Sequence, residues 1–190
     1  MENHLINYLE QFRSIPETDQ QLITAAFRKV SYKSGDQLSS PGQVINHLYF
    51  INKGILKIIV PGEDNKEVTY FFLKEHQLMT FLYSLYGNIP AEQGLRAACD
   101  LEMLEIDKAS LNSLFKHLPY FRALIDKIAH LSMVEMINIR NTYIVGDSLK
   151  RYQLFLQLQP QIALNVQQTD IASYLGITPQ SLSRIRKKIK

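Results

Sequence analysis

The sequence predicts an α+β chain: an antiparallel β-sandwich or barrel, then one long helix, then a small all-helical unit. Three observations carry this. Turn signals at Gly35-Asp36, Pro41-Gly42, Asn52-Lys53-Gly54 and Pro61-Gly62-Glu63-Asp64-Asn65 separate short runs rich in Val, Ile, Tyr and Phe. A turn about every eight to twelve residues is the rhythm of antiparallel strands rather than of βαβ units. From Leu118 to Val145 there is no glycine, and the single proline, Pro119, stands at the start, where a helix tolerates it. The residues from Gln167 onward place two short helical segments on either side of a tight turn.

The composition fits a soluble, core-forming chain: 190 residues, 46% hydrophobic and 21% charged. Its longest apolar runs, His47–Ile51 and Ile55–Val60, are strand-length, so no transmembrane span is expected. The opening Met-Glu-Asn-His-Leu has neither the positive region nor the apolar core of a secretory signal, and a cytoplasmic location is expected. The single cysteine, Cys99, excludes an internal disulfide, a multi-cysteine zinc site and a four-cysteine cluster supplied by one chain. It reads as small buried core filler. The five histidines are scattered without a His-x-His or His-x-x-x-His pair, so no metal and no cofactor is expected. A metal-dependent catalyst would need His and Glu clustered on facing strands; His47 and His76 do not supply them, and the chain is not expected to be an enzyme.

Along the chain, Leu5, Tyr8, Leu9 and Phe12 recur at helical spacing, and Asp19–Phe27 forms a second helical segment. Leu48 and Phe50, the run Ile55–Val60, the run Val68–Leu73 and the stretch Leu95–Ile106 supply the strands. Between them, Glu75–Gln93 suits a short helix followed by a loop over one face of the barrel, a usual place for a small ligand. Met79, Tyr83, Tyr86 and Arg96 are the candidate lining. In the long helix, Ile125, Ala129, Ser132, Met136, Ile139 and Tyr143 recur at the 4-3 spacing of a coiled-coil seam, while Phe121, Leu124, Ile128 and Leu131 form a second stripe. Two stripes imply two partners: the chain's own barrel, and the same helix of a second subunit across the 4-3 seam; the alternative is a monomer whose helix is buried between its two domains.

Charge is uneven. Residues 145–190 hold seven Lys and Arg against two acids, whereas residues 1–144 hold 14 against 16, an asymmetry that points to a polyanion. After a hinge at Gly146-Asp147-Ser148 and an amphipathic segment Leu149–Leu158, the tail reads Thr169-Asp170-Ile171-Ala172-Ser173-Tyr174-Leu175-Gly176-Ile177-Thr178-Pro179-Gln180-Ser181-Leu182-Ser183-Arg184-Ile185-Arg186-Lys187-Lys188. Thr169 can cap a first helix, Gly176 can end it in the left-handed conformation, and Thr178 with Pro179 can start a second. Ala172 is small where the second helix crosses, and Leu175, Ile177, Leu182 and Ile185 fill the angle, with Ile189 also inward. This is a helix-turn-helix pattern. Gln180, Ser181, Arg184, Lys187 and Lys188 are left outward. Arg suits guanine and Gln adenine, while lysines, and the hydroxyls of Thr169 or Ser181, suit phosphates.

Taken together, Ser34-Gly35-Asp36, Gly42, His47-Leu48-Tyr49-Phe50-Ile51-Asn52-Lys53-Gly54 and the closing Ile171–Arg186 run resemble the Crp/Fnr family of bacterial transcription regulators. The resemblance implies a cyclic-nucleotide-binding-like β-roll (a double-stranded β-helix or jelly roll) over residues 1–117, a dimerisation helix over 118–145 and a DNA-binding unit over 146–190. It implies a homodimer on a palindromic double-stranded operator, with RNA polymerase and a small-molecule effector as further partners. Members that bind cyclic nucleotides carry Gly-Glu before the short pocket helix and Arg-Ser or Arg-Thr after it. Here His76-Gln77 or Gln77-Leu78, and Ala91-Glu92, are expected at those places, which argues against cyclic AMP; Arg96 is the nearby cation that could substitute. The sequence stops at Lys190, so a full wing after the recognition helix is not expected. A regulatory module acting through a protein partner is the alternative, and it would leave the helix-turn-helix residues idle.

Overall fold

The structure is a computed structural model that describes residues 3–62, 66–144 and 146–189. The turn expected at Glu63–Asn65 and the expected helix end at Val145 lie outside the described residues. Helix α1 (His4–Glu10) starts where the Asn3 side chain accepts a hydrogen bond from the Ile6 amide. Helix α2 (Glu17–Ala26) carries Glu17 and Asp19 in its first turn, against the positive end of its dipole. Among the described residues eight strands follow: β1 (Arg28–Tyr32), β2 (Gln37–Ser39), β3 (His47–Lys53), β4 (Leu56–Pro61), β5 (Glu67–Leu73) and β6 (Leu78–Met79), then, after helix α3 (Leu82–Gly87), β7 (Gly94–Ala97) and β8 (Leu101–Asp107).

They form two antiparallel sheets, in the orders β1-β8-β3-β6 and β2-β7-β4-β5. The expected single stretch Leu95–Ile106 is therefore two strands, because the chain passes from one sheet to the other at Ala98–Asp100. Gly54 holds the facing turn: its φ is +96°, and the Asp100 carbonyl occupies the space a Cβ would need. Strand β1 is short, half exposed and opens with Arg28 and Lys29, so its sequence carries little alternation.

Helix α4 (Lys108–His117) is capped by Asp107, which accepts from the Ser110 amide at 2.9 Å. Helix α5 (Pro119–Thr142) begins at Pro119, as expected. Asp147 caps α6 (Ser148–Leu158) through the Lys150 amide. The amphipathic segment ends before Pro160, and Pro160 itself opens a further helix, α7 (Pro160–Asn165), since proline fits a first turn. Helices α8 (Gln168–Tyr174) and α9 (Pro179–Ile189) complete the chain.

Two apolar clusters hold these parts together. One joins α1, α2, β3 and α4 to the first half of α5 through Leu9, Ile23, Phe50, Leu114, Phe121 and Ile128. The other fills the roll and continues without a break through Phe71 and Phe72 into Tyr143, Phe155, Tyr174 and Leu182 of the C-terminal helices. Cys99 is half-buried beside this second cluster, and burial pushes its thiol up.

Candidate nucleic-acid interface and ligand cavity

The turn between α8 and α9 is built by local bonds. The Ile177 amide donates to Ala172 O at 3.0 Å, and Gly176 sits at φ +63°, the left-handed conformation the sequence called for. Arg151 of α6 donates to Leu175 O at 2.9 Å, which satisfies a carbonyl that the end of α8 leaves free. Thr178 caps α9 by accepting from the Ser181 amide at 3.1 Å, ahead of Pro179 in the first helical position. Ala172 and Leu182 are fully buried where the helices cross, and Leu175, Ile177 and Ile185 pack around them.

Gln180, Arg184, Lys187 and Lys188 lie exposed on the outer face of α9, with Ser181 half-buried beside its cap. Among the described residues no carboxylate pairs with Arg184, Arg186, Lys187 or Lys188. Two expectations change. Thr169 is the second residue of α8 and caps nothing; the cap position is Gln167, without a side-chain bond. Ile189 is 40% exposed, because the last turn of α9 extends past the body that covers Leu182 and Ile185.

Helix α8 is docked on the roll. Lys57, a charge inside the apolar run of β4, reaches Asp170 of α8 at 2.6 Å, with the two side chains 11% and 16% exposed. Strand β5 is the edge of its sheet, and its Thr69 amide donates to Ser173 Oγ at 2.9 Å. Phe71 and Phe72 of β5 meet the Tyr174 ring edge-on at 6.2 and 5.1 Å between centroids. Arg140 of α5 donates to Tyr70 O and Tyr174 O, bracing the same junction. Sequence reading missed this group, although a lysine in the middle of Ile55–Val60 was a visible signal.

A cavity of about 490 Å³ opens between β4, β5, β6, α3 and α5. Met79 and Tyr83 line it, as expected; Tyr86 and Arg96 do not. The Tyr86 hydroxyl donates to Asp126 at 2.9 Å beneath Arg122, and burial followed by that bond pushes it well above the usual tyrosine range. Arg96 points away, to Glu67 at 2.7 Å, Gln37 at 2.9 Å and Gly35 O at 3.0 Å, because on β7 it belongs to the outer face of the sheet. The residues directly before the short helix are Thr80-Phe81, not His76-Gln77 or Gln77-Leu78. After it, Ala91 is fully buried and Glu92 is exposed.

The expected dimer seam also turns inward. Ile125, Ala129, Ser132 and Met136 line the cavity, Ile139 packs on the core, and Tyr143 is buried against Phe155 and Tyr174. That face of α5 looks onto the cavity over most of its length and onto the chain's own tail at Tyr143. The outward face of the helix instead carries Leu131, Val134 and Ile137, each between 41% and 48% exposed, while Met133, 48% exposed, also lines the cavity. Among the described residues no group of three His, Cys, Asp or Glu side chains gathers as a metal site, and no helix is long and apolar enough to cross a membrane.

Comparison with known proteins agrees with this architecture. The cyclic nucleotide-binding domain family matches residues 29–117. Among solved structures, CLP of Xanthomonas campestris, described as a c-di-GMP responsive global regulator, is 17% identical with a TM-score of 0.70 over 92% of this chain and 91% of its own. FixK2 of Bradyrhizobium japonicum is 15% identical, with a TM-score of 0.70 over 86% of this chain and 84% of its own. The catabolite activator protein of Thermus thermophilus is 14% identical, with a TM-score of 0.58 over 96% and 86%. No curated protein matches the chain by sequence. Residues 29–117 thus match the cyclic nucleotide-binding domain family, and the chain as a whole has the fold of the Crp/Fnr-type regulators.

Proposed function

We propose that this protein is a homodimeric, sequence-specific DNA-binding transcription regulator of the Crp/Fnr type, whose roll senses a small molecule other than cyclic AMP. The observation that carries the reading is α9, a helix capped by Thr178 and anchored by Leu182 that presents Gln180, Arg184, Lys187 and Lys188 to solvent next to a tight turn. A helix so held enters a major groove, with Arg184 in reach of a guanine edge and the lysines on phosphates. Ser181, Thr178 and Pro179 set the start of the helix against the backbone. The regulator CLP and the catabolite activator protein, similar to this chain over most of its length, support the same reading.

The second copy is assigned to the exposed face of α5. Leu131, Val134 and Ile137 lie three residues apart along it. Packing that face against its two-fold mate shields the apolar stripe and sets two recognition helices for half-sites about 34 Å apart. RNA polymerase is the further partner of such a regulator.

Selection of bound duplexes from a random DNA pool, followed by anisotropy titration at several salt concentrations, tests the proposal. A palindromic consensus and a steep loss of affinity with salt are expected. Arg184→Ala is expected to weaken binding by about 1–3 kcal/mol per half-site, concentrated at one base pair. Weak binding that is equal for every sequence would overturn it.

A further inference from the structure

We infer that the cavity between the roll and α5 is the seat of an uncharged, largely apolar small molecule. The inference rests on the sensor reading above and specifies the chemistry of its ligand. The volume of about 490 Å³ lies in the range of pockets that enclose drug-sized molecules. The walls are Leu48, Ile58, Leu73, Met79, Phe81 and Met136 with further apolar neighbours. Among the described residues that line it, Glu135 is the one charged side chain, and it stands exposed on α5.

Charge argues against an anionic occupant. No Lys or Arg is among the described residues that line it, and Arg96, Lys57 and Arg140 are engaged elsewhere: Arg96 with Glu67, Lys57 with Asp170, and Arg140 with the Tyr70 and Tyr174 carbonyls. A phosphate or sulfonate placed here would lose its water and gain no counter-charge, with a carboxylate at the rim. The polar groups of the lining are largely satisfied within the protein. Tyr83 donates to Gln93, Thr80 donates to His47 O, and Gln77 accepts from the Lys74 amide. They ask little hydrogen bonding of a ligand, so affinity comes from apolar surface withdrawn from water. One wall, Phe71, also packs edge-on against Tyr174 of α8, so an occupant bears on the helix that supports the DNA-reading turn.

The test is fluorescence titration of the full chain with N-phenyl-1-naphthylamine, a neutral probe, beside 1-anilinonaphthalene-8-sulfonate, the same skeleton carrying a sulfonate. Saturable binding of the neutral probe at one site per chain is expected, with the sulfonate weaker by about tenfold or more. Ala129→Trp fills the cavity and is expected to abolish binding in a protein whose circular dichroism is unchanged. Glu135→Gln, an exposed change that leaves the fold intact, is expected to narrow the difference between the probes. Equal affinity for both probes, insensitivity to Ala129→Trp in a folded protein, or displacement of the neutral probe by micromolar cyclic AMP would overturn the inference. So would a wild-type dimer that takes no probe while an Ile137→Glu monomer does, since the partner helix would then fill the space. These measurements use no DNA. A chain that selects an operator but binds no neutral probe keeps the regulator reading and loses this one; the opposite pair of results does the reverse.

Discussion

Tyr143 and Tyr174 meet at 5.6 Å between ring centroids, and Gln159 donates its side-chain amide toward both hydroxyls. Burial pushes both hydroxyls up from the ordinary tyrosine value. Tyr86 is raised by burial and by its bond to Asp126, and Tyr120 is pushed up to about 12 by burial and by its bond to Asp19. The folded state therefore favours neutral tyrosine, whereas the unfolded chain ionises near pH 10. This contribution to stability is complete below about pH 10 and is lost as the pH rises through the folded values. Urea unfolding at pH 8, 10 and 11 is expected to show a falling midpoint, with tyrosinate absorbance growing in step with unfolding. At this scale the sequence was most legible where the chemistry is local. The left-handed Gly176, the Thr178 cap and the small Ala172 were all readable from spacing. Thr169 was not, because the helix it was expected to cap begins two residues earlier than that cap requires, at Gln168.

Helix α5 shows what an element's pattern conveys and what it leaves open. Its start and its length were readable from Pro119 and from the absence of glycine. The 4-3 seam was real as well, but an apolar stripe records that something covers it, not what does. Here Ile125, at 1% exposure, and Tyr143, at 5%, are covered by the chain itself. The two faces answer differently to the same substitution. Ile137→Glu is expected to yield a folded monomer by analytical ultracentrifugation, with operator affinity lost in proportion to dimerisation. Ile125→Glu buries a charge without a partner and is expected to unfold the chain. A dimer that persists with Ile137→Glu would remove this face from the interface.

At the scale of the molecule, the sensory roll and the reading helices share one continuous core, closed by the Lys57–Asp170 pair and the Thr69–Ser173 bond. Cutting one partner of a largely buried pair leaves the other without compensation. Lys57→Ala is expected to destabilise by about 1–3 kcal/mol in urea unfolding and to raise hydrogen exchange at the Thr69 amide. The double variant Lys57→Ala with Asp170→Ala is expected to recover part of that loss, since no orphan carboxylate remains. Thr69 exchange that is unchanged in Lys57→Ala would show that α8 is held on the roll without the pair.

What depends on neighbours along the chain is written in the order of its residues. Turn glycines and prolines spaced the strands, an unbroken helical stretch measured α5, and the run from Ile171 to Arg186 specified two helices and their cationic outer face. The tertiary structure decided everything that depends on which surfaces meet. It turned the α5 seam inward, drew Tyr86 to Asp126 and Arg96 to Glu67 away from the cavity, placed Thr80-Phe81 at the head of α3, and set Asp170 against Lys57 across 113 positions of chain. Local backbone preference acts over a few residues and can be read in order, whereas the pairing of faces is fixed only when the whole apolar surface is buried at once.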